Sequence, residues 1–112
     1  MKNRITTYDA DYLLRKHKNA NKTIAALDAA GTDTTQAKWL KAFTEDFLDT
    51  CITQRESEVY TALYIDRYNI KLAAAKLGIS RRTVAHHRLR ILSRFVDVYN
   101  LEMEMEMLDN GN

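Results

Sequence analysis

The feature that most restricts the fold of this sequence is the complete absence of proline from its 112 residues. Average usage would give about five or six prolines in a chain of this length. Glycine, the other residue that interrupts helices, occurs only three times, as Gly31, Gly78 and Gly111. Because helices tolerate proline and glycine least of all residues, we expect an all-α fold.

The composition, 46% hydrophobic and 29% charged, is typical of a globular protein with a single domain. No apolar run approaches the roughly 18 residues that a membrane span needs, and the N-terminus lacks the apolar core of a signal peptide. We therefore expect a cytoplasmic protein with no membrane partner. Cys51 is the only cysteine, which excludes an internal disulfide, and three histidines are too few additional ligands for structural zinc.

Charge is distributed unevenly along the chain, although the net charge is only +2. Residues 76–94 contain six basic and no acidic side chains: Lys76, Arg81, Arg82, Arg88, Arg90 and Arg94. Residues 97–109 contain five acidic and no basic side chains: Asp97, Glu102, Glu104, Glu106 and Asp109. The basic stretch can face a polyanion, but a solvated helix face would have the same charge pattern, so charge alone does not decide.

Apolar spacing predicts three helices in the first 50 residues. The first covers residues 8–18, and the second covers 22–30 and ends at Gly31, which can supply a left-handed stop. The third carries a broad apolar stripe of Trp39, Leu40, Phe43, Phe47 and Leu48. Because no polar side chains converge beside these aromatics, we interpret them as core. Residues 1–50 are then a helical extension that serves assembly or partner contact.

The second half contains signals for three successive helices. Thr53 and Glu56 form a capping box, in which each side chain satisfies a backbone donor of the other, and this starts a helix. A short helix follows over 71–77, and its alanines let another helix cross closely. Gly78 can adopt positive φ in the turn, and Ser80 is a good N-cap for a third helix that starts at the next residue.

These signals predict a tri-helical helix-turn-helix over residues 51–96, an architecture whose last helix enters the major groove of DNA. Helical spacing turns one set of side chains of this last helix inward: Val84, His87, Ile91, Leu92 and Phe95. It turns the opposite set outward: Arg82, Ala85, His86, Leu89 and Ser93. The outward face begins with basic and small side chains.

Two separated blocks resemble the LuxR-type DNA-binding domain. Residues 52–59 (ITQRESEV) resemble the start of that domain. Residues 77–84 (LGISRRTV) resemble its turn and recognition helix, together with His87, Arg88, Ile91 and Leu92. The same region also resembles region 4 of bacterial sigma factors. The resemblance covers residues 52–95, about 40% of the chain.

The sequence departs from the LuxR-type pattern between the first two helices of the motif. The family's glycine is absent, and residues 66–70 take its place with one additional residue. Residues 71–76 (KLAAAK) are closer to Fis-type and phage-regulator versions of the motif. Small regulators of this kind resemble the sigma-like transcription factors of phages and other mobile elements.

The resemblance implies a set of contacts with double-stranded DNA. Base edges would be read by Arg82, Ala85, His86 and Leu89, because arginine can bridge guanine and small apolar groups can touch a thymine methyl. Phosphates would be bound by Lys71, Lys76, Arg81, Arg90 and Arg94 and by the backbone N–H groups at Ser80. His87 would be a packed, hydrogen-bonded histidine at the edge of the core.

We therefore expect a sequence-specific transcription regulator that is not an enzyme and needs no cofactor. The sequence has no glycine-rich phosphate loop and no nucleophile with an evident base partner. His86 and His87 diverge by roughly 100° on a helix, so they do not suggest a metal site. The alternative is a protein-binding helix-turn-helix module that contacts RNA polymerase, a sigma factor or another regulator.

Symmetric half-sites double the contacts of one short recognition helix, so a homodimer is expected. Two apolar stripes are candidate interfaces: Trp39 with Phe43, and Tyr99 with Met103. The acidic, methionine-rich tail over 97–112 has two interpretations. It continues the recognition helix, with a stripe of Val96, Tyr99, Met103 and Met107, or it is a frayed end that orders only on a partner.

Overall fold

Helices make up most of the computed structural model, which describes residues 4–110 except for the side chains of residues 107, 109 and 110. The α-helices are α1 (Thr7–His17), α2 (Ala20–Ala29), α3 (Thr35–Thr50), α4 (Gln54–Tyr60), α5 (Ile70–Leu77) and α6 (Arg81–Asn110). A π-helical turn, Thr61–Ile65, continues α4. This described part has no β-strand and no helix long and apolar enough to cross a membrane. The expected all-α fold is confirmed.

Side-chain caps start the helices of the second half. The Glu56 N–H donates to Thr53 Oγ1 at 3.1 Å, and the Thr53 N–H donates to Glu56 Oε1 at 2.9 Å, which is the predicted capping box. Asn69 caps α5, accepting from the Leu72 N–H at 2.8 Å. Each cap satisfies a donor that lacks a partner within its helix, so the starts of α4 and α5 are set locally.

The core lies along α6, against which α1, α4 and α5 all pack. α3 adds Phe47, whose ring lies 5.0 Å from that of Phe95 in an edge-on contact. The buried apolar residues are Ala10, Leu14, Phe47, Val59, Tyr60, Ala62, Tyr64, Ala73, Ala74, Val84, Ile91, Leu92 and Phe95. Residues of α1 and α3 belong to the same buried cluster as those of α4 to α6. The N-terminal helices and the helix-turn-helix region therefore share one core.

The junction between α4 and α5 contains two irregularities of the backbone, a π-helical turn and a left-handed residue. In the π-helical turn the Asp66 N–H donates to the Thr61 carbonyl at 2.9 Å, an i to i−5 bond that makes room for one extra residue in a helix. Arg67 then adopts a left-handed φ of 60°, the backbone conformation that glycine takes most easily. The chain thus makes this turn with arginine at the left-handed position.

The two stripes expected to form dimer interfaces cover each other within one chain. The Trp39 ring lies 5.8 Å from the Tyr99 ring, and Phe43 lies 5.5 Å from both Tyr99 and Phe95. Met103 lines the same groove as Trp39. The assignment of these stripes to a homodimer interface is therefore corrected, because aromatic contacts between α3 and α6 occupy them.

The methionine-rich segment continues α6 as far as Asn110. Over residues 97–110 the structure agrees with the first interpretation of the tail, in which it continues the helix. Of the predicted tail stripe, Val96, Tyr99 and Met103 are half-buried, and the side chain of Met107 lies outside the described residues.

Candidate nucleic-acid interface

A three-residue turn joins α5 to α6. Gly78 has φ 69°, and the Ile79 N–H donates to the Ala74 carbonyl at 3.1 Å. A Cβ at Gly78 would meet no atom within 4 Å, so glycine is required here by backbone conformation and not by space. Ser80 Oγ accepts from the Thr83 N–H at 3.0 Å. The predicted glycine turn and serine N-cap are both confirmed.

Small residues on α5 hold the start of α6 close to the core. Ala73 is fully buried, and Ala74 is 5% exposed. Val84, in the first turns of α6, is also fully buried. Because the alanines have little bulk, α6 packs closely across α5, and this packing holds the outward face of α6 in a defined orientation.

The four side chains predicted to read bases lie together on the outward face of α6. Arg82, Ala85, His86 and Leu89 are all exposed, and their spacing of i, i+3, i+4 and i+7 places them on one side of the helix. Leu89 is 55% exposed. Together they form a face of a cation, an imidazole and two apolar groups.

The residues predicted to contact phosphate differ in exposure and in the groups that they already contact. Lys71, Lys76, Arg81 and Arg90 are exposed. Arg90 Nε lies 3.5 Å from Glu56 Oε2, a long ion pair that leaves most of its guanidinium open. The hydroxyl of Ser80 is used as the helix cap, so Ser80 can offer an anion only the backbone donors at the start of α6.

Arg94 has an internal role that the sequence analysis did not foresee. Its guanidinium donates to Glu56 Oε1 at 2.7 Å and to the Cys51 carbonyl at 3.0 Å. The Glu56 side chain is 2% exposed and that of Arg94 is 31% exposed, so the carboxylate is buried and the guanidinium covers it from the partly exposed side. Arg94 is therefore removed from the set of proposed phosphate contacts, because its charge is already compensated inside the protein.

The ion pair also changes the acidity of the glutamate. Burial raises the pKa of the Glu56 carboxyl. Hydrogen bonds from Arg94 and the Thr53 N–H, together with the charges of Arg94 and Arg90, lower this pKa by more than burial raises it. The net pKa lies below its ordinary value, so the carboxylate form is stabilised. One carboxylate thus caps α4 and joins it to α6.

A second polar network ties α1 to α6. Arg88 donates to Asp11 Oδ1 at 3.0 Å, and Arg15 Nε donates to Asp11 Oδ2 at 2.9 Å. The Tyr64 hydroxyl donates to Asp11 Oδ1 at 2.5 Å. The i to i+4 spacing of Asp11 and Arg15 is visible in the sequence, but their meeting with Arg88, 77 positions from Asp11, is not. These groups were consequently not among the predicted site residues.

His87 is half-buried, but its Nδ1 has no hydrogen-bond partner within the described part of the chain. The expected packing is therefore present, and the expected hydrogen bond stays a prediction. The rings of His86 and His87 lie 6.5 Å apart, with an angle of 55° between their planes. Among residues 4–110, no three His, Cys, Asp or Glu side chains are grouped so as to hold a metal ion.

Comparison of the chain with models of protein families, with curated proteins and with solved structures finds no match.

Proposed function

We propose that this protein is a sequence-specific regulator of transcription that binds double-stranded DNA with the first half of α6 in the major groove. The observation that carries the proposal is the exposed basic face of the α5–turn–α6 unit. From residue 67 to residue 96 the chain has eight basic side chains and no acidic one. Among the residues that the structure describes, Arg88 and Arg94 form short ion pairs with half-buried or buried carboxylates, and Arg90 forms a longer one with Glu56. The rest of this charge faces outward.

In this proposal each outward residue of α6 contacts a different part of the DNA. Arg82 bridges O6 and N7 of a guanine, while Ala85 and Leu89 contact thymine methyl groups and His86 bonds a base edge. Phosphates on either side of the groove are bound by Lys71, Lys76, Arg81 and Arg90 and by the backbone donors at Ser80. The protein acts without catalysis or cofactor in the cytoplasm, and two copies bind symmetric half-sites.

The competing function is a protein-binding module that contacts RNA polymerase, a sigma factor or another regulator. Leu72 and Leu89 favour it, since they are 41% and 55% exposed on the same unit as the basic residues. Large exposed apolar groups beside cations also suit an acidic protein surface.

Fluorescence anisotropy with random duplex DNA over a series of salt concentrations separates the two functions. Four phosphate contacts would give a slope of log K against log salt of about −3.6, from about 0.9 for each contact, and further contacts would make it steeper. A duplex enriched by repeated selection would bind more tightly than the random one. A flat salt response, or no binding to duplex at all, would favour the protein-binding module.

A further inference from the structure

Away from the outward face of α6, a groove of about 680 Å³ opens between α1, the junction after the π-helical turn, and α6. Three arginines from these three segments line it: Arg15, Arg67 and Arg88. Tyr64, Tyr68 and Asn69 also line it. The groove therefore brings together cations that are far apart in the sequence.

Asp11 holds two of the arginines in place without neutralising the groove. It accepts Nε of Arg15 at 2.9 Å and one terminal nitrogen of Arg88 at 3.0 Å. A guanidinium has five N–H donors, so each arginine keeps donors that Asp11 does not use. Three positive charges and one negative charge leave a net charge of +2 at the groove.

Arg67 adds the third charge from an unusual backbone position. Its φ is 60°, and its guanidinium lies 3.5 Å from the carbonyl oxygen of Arg15. Glycine or asparagine would adopt this conformation more easily, yet the chain has a long cation there. The charge of Arg67 is thus presented at the edge of the groove that α1 forms.

The groove lies beside the start of α5, because Asn69 and Ile70, the cap and first residue of that helix, belong to its lining. In helix-turn-helix proteins the helix before the recognition helix crosses the DNA backbone. Lys71, the next residue along α5, is exposed. Basic surface therefore continues from the proposed DNA-binding face into the arginine groove.

We propose that this groove binds a phosphate of the DNA backbone flanking the bases read by α6, so that α1 is part of the DNA interface. The inference rests on the proposed function. A phosphate fits the chemistry because its oxygens accept paired N–H groups from guanidinium in a planar fork, and three such forks converge here. The N-terminal helices would then contribute directly to affinity for any sequence.

The test uses the full chain with the charge of Arg67 removed. Arg67→Gly keeps the left-handed conformation accessible and leaves the Asp11 network intact, so the fold is retained. We expect affinity for selected and random duplex to fall alike, by about fivefold at low salt, and the salt slope to become shallower by about 0.9. Arg15→Gln should act in the same direction. Arg55→Gln is the matched control, since Arg55 pairs with Glu58 on the exposed side of α4, outside the groove.

The outcomes distinguish this inference from the proposed function. Suppose that the wild type binds duplex with steep salt dependence and that Arg67→Gly and Arg15→Gln have the same affinity and salt slope. This result would overturn phosphate binding in the groove but would leave the proposal of DNA binding intact. An equal loss in Arg55→Gln would also overturn it, because the effect would then be general. If both groove variants keep duplex binding but lose binding to polyglutamate, the groove belongs to an acidic protein. A wild type that binds no duplex overturns both proposals.

Discussion

Arg82 and Arg94 lie on the same helix in different surroundings. Arg82 is exposed at the start of α6, and Arg94 is held by the buried carboxylate of Glu56. The sequence shows both as cations of one basic run. Their environments differ because the partner of Arg94 comes from another helix, 38 residues earlier. Removal of each side chain should therefore affect a different property of the protein.

Replacement of Arg82 tests base recognition. Arg82→Ala should cost about 1–3 kcal/mol on a selected duplex and little on scrambled DNA, because a bidentate guanine contact is lost. Arg82→Lys should also relax the base preference at one position, since an ammonium cannot form the planar fork. Anisotropy titrations on both duplexes measure the difference. Equal losses on the two DNAs would show that another face of α6 reads the bases.

Replacement of Arg94 tests stability. Arg94→Ala leaves Glu56 buried without its cation, and we expect the free energy of unfolding to fall by about 2–3 kcal/mol, a value reduced for the partial exposure of Arg94. Urea denaturation measures it. Arg55→Ala, which breaks an exposed ion pair on α4, should change stability by less than about 1 kcal/mol. If Arg94→Ala were as stable as the wild type and had a shallower salt slope on DNA, Arg94 would be a phosphate contact after all.

Among the elements, the starts of α4 and α6 followed from local sequence, whereas the junction, the Asn69 cap of α5 and the helix contacts did not. The capping box at Thr53, the glycine turn at Gly78 and the cap at Ser80 all depend on residues within a few positions of one another. The π-helical turn was not predicted, and it contains Tyr64, whose hydroxyl donates to Asp11, 53 residues away, a contact that no local pattern shows. The candidate site was predictable as an exposed face of α6, but not the contribution of α1 to the arginine groove.

The Glu56–Arg94 ion pair that joins α4 to α6 predicts a loss of stability in acid. The pKa of Glu56 is lowered on folding, so its contribution is complete above its ordinary value of 4.5 and is lost as the pH falls through the lower pKa of the folded state. Urea denaturation at pH values from about 6 down to about 3 should show this decline. Glu56→Gln should have a flatter profile over the same range. Parallel profiles would show that other carboxyl groups account for the decline.

At the scale of the whole molecule, the N-terminal helices belong to the fold that carries α6. A stripe of aromatic residues can be recognised in a sequence, but the sequence does not say whether the same chain or a second copy covers it. Here Trp39 and Phe43 pack on Tyr99. The prediction of two copies on DNA stands, but it requires a different surface from these stripes.

Replacement of Trp39 distinguishes internal packing from a subunit interface. Trp39→Ala should lower the free energy of unfolding by about 2 kcal/mol, less than for a fully buried tryptophan because Trp39 is half-buried. Sedimentation of wild type and variant with and without duplex DNA should show the same number of copies. Leu101→Ala, at a site 57% exposed on α6, is the control and should leave stability unchanged. If the wild type were a dimer and Trp39→Ala dissociated it, Trp39 would belong to the dimer interface.

The continuity of α6 has a mechanical consequence. At 1.5 Å for each of its 30 residues the helix is about 45 Å long, with no proline to bend it. The end that we propose enters the groove of DNA and the acidic end are therefore two ends of one continuous helix, and neither can turn without the other. A contact that fixes the orientation of the acidic end of α6 would also fix the orientation in which the N-terminal end of α6 meets the proposed DNA duplex. If two copies of the protein were joined at the acidic ends of α6, the joint would fix the distance between the two N-terminal ends of α6. That distance would set how many base pairs separate the two DNA sites.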